Sequence, residues 1–156
     1  MQMQLTKNAD SVLSIMLQAF AEYRVQEVPS SALDETVELI TEKMQNGELA
    51  LIGHVAGQEA AMVRFKLESD YLYYSRLSVI PGYQGKGLAK KLLAFPEQYA
   101  VQHSIPEIRC KVRMNVPRNM MLYESIGYSI SKEETVTKPT GEKLQVATMF
   151  KVLHFG

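Results

Sequence analysis

The sequence predicts an α/β fold of the α+β kind, a mixed and mostly antiparallel sheet flanked by helices, in a single domain over 1–156. Three observations carry this. A chain of 156 residues is about one domain long and can bury a core without disulfides or metals. The first quarter repeats its apolar residues at helical spacing, and the next stretch turns to runs of branched and aromatic residues typical of strands. The second half then alternates helical and strand patterns, which a sheet covered by helices accommodates.

Met1 to Thr6 alternates and reads as a short strand. Asn8 or Asp10 can cap a helix in which Val12, Leu13, Met16, Leu17 and Phe20 recur at helical spacing, and this helix should fade near Val25. Pro29 in VPSSALDE breaks the pattern. Ser31 or Asp34 restarts it as a second helix through Val37, Leu39, Ile40 and Met44, closed by Asn46-Gly47. The runs LALIGHVAG, EAAMVRFKLES and YLYYSRLSVI follow, with turn signals at Ala56-Gly57 and Ser69-Asp70, and form an antiparallel meander. After Pro81 a glycine-rich loop enters a third helix, and Pro96 inside that helix predicts a kink or break. EIRCKVRM is a further strand, PRNMMLYES a short helix stopped by Gly127, and two strands around KPTGEK close the chain. The order is β-α-α-β-β-β-α-β-α-β-β.

Composition narrows the function. Lys+Arg and Asp+Glu are both 17, so no global field draws the chain to nucleic acid or to an acidic membrane surface. No apolar run approaches the ~20 residues that span a bilayer, and MQMQLTKNAD has no signal pattern, so a cytoplasmic location is expected. Cys110, the single cysteine, cannot form an intramolecular disulfide, and its place in IRCKV suits a buried strand. His54, His103 and His154 are scattered over different elements, and no metal is expected. Met120-Met121 reads as gap-filling core.

The chemistry concentrates in LSVIPGYQGKGLAKKLLAF. Backbone amides of a helix's first turn lack intrahelical acceptors and lie at the positive end of its dipole, so Gln84 to Ala89 can receive an anion such as a pyrophosphate. A nucleotide P-loop needs four residues between its first glycine and Gly-Lys-Ser/Thr; here Gly82 and Gly85 leave two, and Gly87 follows Lys86. A dinucleotide fingerprint needs a small residue where Lys90 stands. Gly82, Gly85 and Gly87 could also serve only the turn.

A second segment gives the loop its context. QGKGLA resembles the Gln/Arg-x-x-Gly-x-Gly/Ala signature of the GNAT superfamily of N-acetyltransferases, with Gln84, Gly87 and Ala89 at the signature positions. NMMLYESIGY, some thirty residues on, is similar to that family's Asn-x-x-x-Tyr-x-x-x-Gly-aromatic segment, and the order of elements agrees. The resemblance implies a splayed sheet, acetyl-CoA as acyl donor, and direct transfer to a primary amine. Leu77 and Val79 would offer backbone groups to the pantetheine arm. Gln84, Gly85, Lys86, Gly87, Leu88 and Ala89 would hold the pyrophosphate, and Asn119 would bond the cofactor arm. Asn115 is either a further contact or the helix cap. Tyr123 would protonate the departing CoA thiolate; taken alone it could equally be a core aromatic.

The acceptor's proton has no assigned base. YLYYSRLSVI holds no carboxylate, Glu68 and Asp70 look like turn residues, and Glu22 and Glu27 face either the acceptor cleft or solvent. Tyr74 and Arg76 are expected on the acceptor side of the sheet, where Arg76 would either meet a substrate carboxylate or form a sheet-face salt bridge. A small-molecule amine is expected as acceptor ahead of a protein, and edges near the last hairpin allow a homodimer. The alternative class is a CoA-binding sensor or protein-interaction domain that keeps the cofactor site without turnover. Tyr123 argues against it.

Overall fold

The computed structural model describes residues 1–20, 34–114 and 117–153, with the side chains of 117–119 also outside the described set. Its elements follow the predicted order: β1 (Gln2–Thr6), α1 (Ala9–Phe20), α2 (Val37–Gln45), β2 (Leu49–Val55), β3 (Gln58–Leu67), β4 (Leu72–Val79), α3 (Leu88–Gln102), β5 (Glu107–Arg113), α4 (Pro117–Ser125), β6 (Ser129–Thr137) and β7 (Lys143–Val152). Asn8 caps α1, its Oδ1 accepting from the amide of Ser11 at 3.1 Å. The cap of α2 is Thr36, not Ser31 or Asp34, because its hydroxyl lies 3.2 Å from the amide of Leu39. Ser31, and the expected fading of the first helix near Val25, fall outside the described residues.

The sheet runs β1-β2-β3-β4-β5-β7-β6. Every neighbouring pair is antiparallel except β4 and β5, which are parallel and share only two registered pairs, Leu72↔Ile108 and Tyr73↔Arg109. Beyond them the two strands run on to Val79 and Arg113 without pairing to each other, so the sheet is split at its centre.

A bulge in β4 accompanies the split. Between Met62↔Ser78 and Arg64↔Ser75, β4 holds one residue more than β3, and Arg76 takes a left-handed φ of 57°. The Ser78 hydroxyl donates to the carbonyl of Arg76 at 2.7 Å and holds the distortion. The extra residue also shifts the pleat. Leu72 and Tyr74 point to one face before it, and Leu77 and Val79 to the same face after it. Tyr74 therefore does not share the acceptor side with Arg76, as strict alternation predicts; it is buried on the opposite face.

Each face has its own core. On one, α1 and α2 bury Val12, Ile15, Met16 and Ile40 against Ala50, Ile52 and Met62. On the other, Leu92, Leu93 and Ala100 of α3 and Tyr123 of α4 pack on Leu51, Val63, Phe65, Ile108 and Cys110. Fully burying one such aliphatic side chain contributes about 1.5–3 kcal/mol, so α3 is held chiefly by its apolar face. No break occurs at Pro96: α3 is continuous from Leu88 to Gln102, and the proline ring is itself buried among these contacts. Met120 packs against this core, but Met121 is 68% exposed and fills no gap. The outer strand β6 carries a bulge between Ile130 and Lys132 and then the charges of Lys132, Glu133 and Glu134, features that weaken strand pairing at that edge. Among the described residues no helix is long and apolar enough to cross a membrane.

Candidate active site

Where β4 and β5 part, a cleft of about 990 Å³ opens through the sheet. That lies at the upper end of the range of small-molecule sites. Its walls are β4 from Tyr73 to Val79, the turn before α3, the end of β5, Leu122 and Tyr123 of α4, and side chains of α1 and β7.

The turn before α3 is built for close approach. Pro81–Tyr83 makes one 3-10 turn, closed by the Tyr83 amide on the carbonyl of Ile80 at 2.8 Å. Gly85 and Gly87 then adopt φ of 77° and 75°, a region where a side chain costs about 1–2 kcal/mol. A Cβ at either would meet nothing within 4 Å, so the glycines answer to backbone conformation and leave the surface open. Among the described residues no backbone acceptor pairs with the amides of Gly85, Lys86 or Gly87. The first amides of α3, at Leu88 and Ala89, lack intrahelical partners by position. The result is a run of five donors at a helix N-terminus. Gln84 turns inward along the strand, its Nε2 donating to the carbonyl of Val79 at 3.0 Å. Lys86 lies outside the cleft, its ammonium 5.8 Å from the Tyr83 ring centroid.

Tyr123 sits on the last turn of α4. Gly127, with φ 100°, ends that helix, and the amide of Tyr128 donates to the carbonyl of Tyr123 at 3.0 Å. The glycine thus fixes the turn that carries the tyrosine. The Tyr123 ring packs 6.2 Å from Tyr74 and 5.8 Å from Tyr128, centroid to centroid, while the residue also borders the cleft. Burial pushes the phenols of Tyr74 and Tyr128 up, and it pushes the Cys110 thiol beside them up to about 12. Cys110, 2% exposed, is the buried strand residue expected.

The opposite side of the cleft is polar. Buried Glu35 accepts a hydrogen bond through Oε1 from Lys43 at 3.2 Å and forms ion pairs through the same oxygen with Arg64 at 3.1 Å and Arg76 at 3.4 Å. Arg64, 1% exposed on β3, also pairs through Nε with Glu48 and lies 3.7 Å from the Met16 sulfur. Burial raises the Glu35 carboxyl, but Arg64, Lys43 and Arg76 together outweigh it and hold the group below its ordinary 4.5. Arg76 therefore makes the sheet-face salt bridge.

Leu77, Val79, Gln84, Gly85, Gly87, Leu88 and Ala89, from the continuous run of β4, turn and α3, and Tyr123 from the distant α4 border this one cleft. The Asn119 backbone belongs to α4, and its side chain, with Asn115, Glu22 and Glu27, falls outside the described residues. Glu35, Glu48 and Lys43 went unrecognised in the sequence. Glu48 follows Gly47 in the turn after α2 and looks like a solvated turn residue, and only the pairing of β2 with β3 brings it to Arg64.

The chain belongs to the acetyltransferase (GNAT) family, whose model matches residues 13–128. Solved structures share its fold. The ribosomal-protein-S18-alanine N-acetyltransferase from Escherichia coli superposes with a TM-score of 0.77 at 16% identity, over 99% of this chain and 96% of that one. PaiA N-acetyltransferase from Thermoplasma acidophilum, in complex with coenzyme A, gives 0.73 at 15%, over 97% and 99%. The protein yncA from Salmonella typhimurium, with its cofactor acetyl-CoA, gives 0.72 at 18%, over 100% and 96%. No curated protein matches the chain by sequence.

Proposed function

We propose that this protein transfers the acetyl group of acetyl-CoA to a primary amine on a small molecule, by direct attack with donor and acceptor bound together. One juxtaposition carries the reading: Tyr123 and the open turn of Gly85 and Gly87 border the same gap between β4 and β5.

The residues present fit the donor. Free amides from Gly85 to Ala89 suit a pyrophosphate, and the edge of β4 that β5 leaves uncovered at Leu77 and Val79 suits a pantetheine arm lying like an added strand. The Val79 carbonyl already accepts from Gln84, so the arm depends on the strand's other groups. A role for Asn119 toward the cofactor arm rests on the family motif alone. Acetyl-CoA brings a thioester activated toward amines.

Tyr123 then acts as general acid. Its phenol gives its proton to the leaving thiolate. Glu48, the one carboxylate bordering the cleft among the described residues, takes the acceptor's ammonium proton through water. An α-amino group, whose pKa lies below ~8, needs less help.

The test is release of CoA thiol from acetyl-CoA across a panel of amines. Release that depends on one amine class is expected. Acetyl-CoA binding without release by any amine would favour the sensor reading.

A further inference from the structure

Two tyrosines border the split between β4 and β5 from opposite faces of the sheet. Tyr123 reaches it with α4, from the face on which α3 packs. Tyr73 belongs to β4, where its neighbours Leu72 and Tyr74 are buried in the core beneath α3. It therefore projects from the other face, toward α1 and α2. It also makes the last registered pair between β4 and β5, with Arg109, and so stands at the closed end of the gap.

Nothing in the fold uses the Tyr73 hydroxyl. Among the described residues no hydrogen bond reaches it, and it is not one of the polar atoms sealed in the interior, as those of Tyr74 and Tyr128 are. The half-buried residue borders the cleft together with Glu48, and the charge of Glu48 acts on its phenol. Burial is the largest influence on that phenol and pushes it up, so it stays protonated at neutral pH and serves as a hydrogen-bonding group, not as a phenolate base. The donor does not account for it. The turn suited to the donor's phosphates opens α3, on the face from which Tyr73 points away. Filling the cleft takes water from this hydroxyl, and a substrate nitrogen can replace that water.

We infer that Tyr73 receives the acceptor's amine: its oxygen accepts an N–H and turns the nitrogen toward the thioester, while its own proton points through water to Glu48. This rests on the acetyltransferase reading and adds the group that touches the nitrogen. The ammonium gives a proton to the phenol oxygen as the phenol proton moves on to Glu48. The freed lone pair forms the N–C bond, the C–S bond breaks, and the thiolate takes the Tyr123 proton. A second proton leaves the nitrogen for solvent as the amide forms, and Tyr123 takes one back, so one proton is released overall. Attack is served from one face of the sheet and departure from the other.

Tyr73→Phe in the full-length chain tests this, with n-butylamine, benzylamine and glycinamide as probes. The ring remains and no protein hydrogen bond is lost, so the urea midpoint should hold and acetyl-CoA affinity should stay within about twofold. At pH 7 kcat/KM should fall about tenfold or more, and the deficit should close toward about pH 10, where the amines arrive neutral. It should close first for glycinamide, whose α-amino group lies near ~8. Calorimetry should show n-butylamine binding the enzyme–CoA complex about threefold or more weaker in the variant. No loss, or an equal loss at every pH as damaged packing gives, overturns the inference while the acetyltransferase reading stands. Acetyl-CoA binding to the wild type with no thiol release from any of the three amines overturns both.

Discussion

Arg76 Nη2 stands 3.4 Å from Oε1 of Glu35, which joins the bulge of β4 to the segment just before α2. The left-handed backbone at Arg76 costs about 1–3 kcal/mol, and this anchored side chain with the Ser78 hydrogen bond offsets it. Glu35→Gln leaves Arg64 buried with one carboxylate fewer and should destabilise the protein by about 3 kcal/mol, read from urea unfolding at pH 7. An unchanged midpoint would show that the cluster holds nothing together.

The same group sets a pH dependence. Because the folded carboxyl lies below its ordinary 4.5, its contribution is complete above that value and disappears as pH falls through the lowered folded value. Wild-type stability should therefore decline below pH 4.5 more steeply than that of Glu35→Gln. Parallel curves for the two proteins would contradict this.

Cys110 should be inert. With 2% of its surface exposed and its thiol pushed up to about 12, it offers almost no thiolate at neutral pH. Ellman's reagent should find no reactive thiol in the native protein and one after denaturation. Rapid native labelling would mean that the Tyr74 cluster opens. Inertness also makes CoA thiol release directly readable.

Gly87→Ala should separate binding from folding. No atom lies within 4 Å of the new methyl group, but φ of 75° penalises it by about 1–2 kcal/mol. Relaxation of the turn toward φ below zero turns its amides away. Acetyl-CoA affinity, measured by calorimetry, should weaken about tenfold, with a loss of stability no larger than that penalty. Unchanged affinity would remove this turn from the donor site.

Most of the fold was legible because its signals are local. Helical spacing from Val12 to Phe20, the Ala56-Gly57 turn and the Gly127 cap each follow from a few adjacent residues, and all three are observed. The two motif segments were legible for the same reason, since each lies within one loop and one helix turn. What escaped is non-local. Strict alternation mispoints Tyr74 because one extra residue in β4 shifts the pleat, and nothing in YLYYSRLSVI marks the bulge. Glu35, Arg64 and Glu48 become one cluster only through strand pairing and helix packing. Each alone reads as an ordinary surface charge.

The most direct measurement is single-turnover acetyl transfer by Tyr123→Phe, with acetyl-CoA affinity measured alongside. The ring keeps its packing against Tyr74 and Tyr128, so folding and binding should hold. Loss of the hydroxyl proton should slow transfer by about 10²–10⁴-fold, with affinity within about twofold of wild type. A wild-type rate in the variant would contradict the assignment of Tyr123 as the acid.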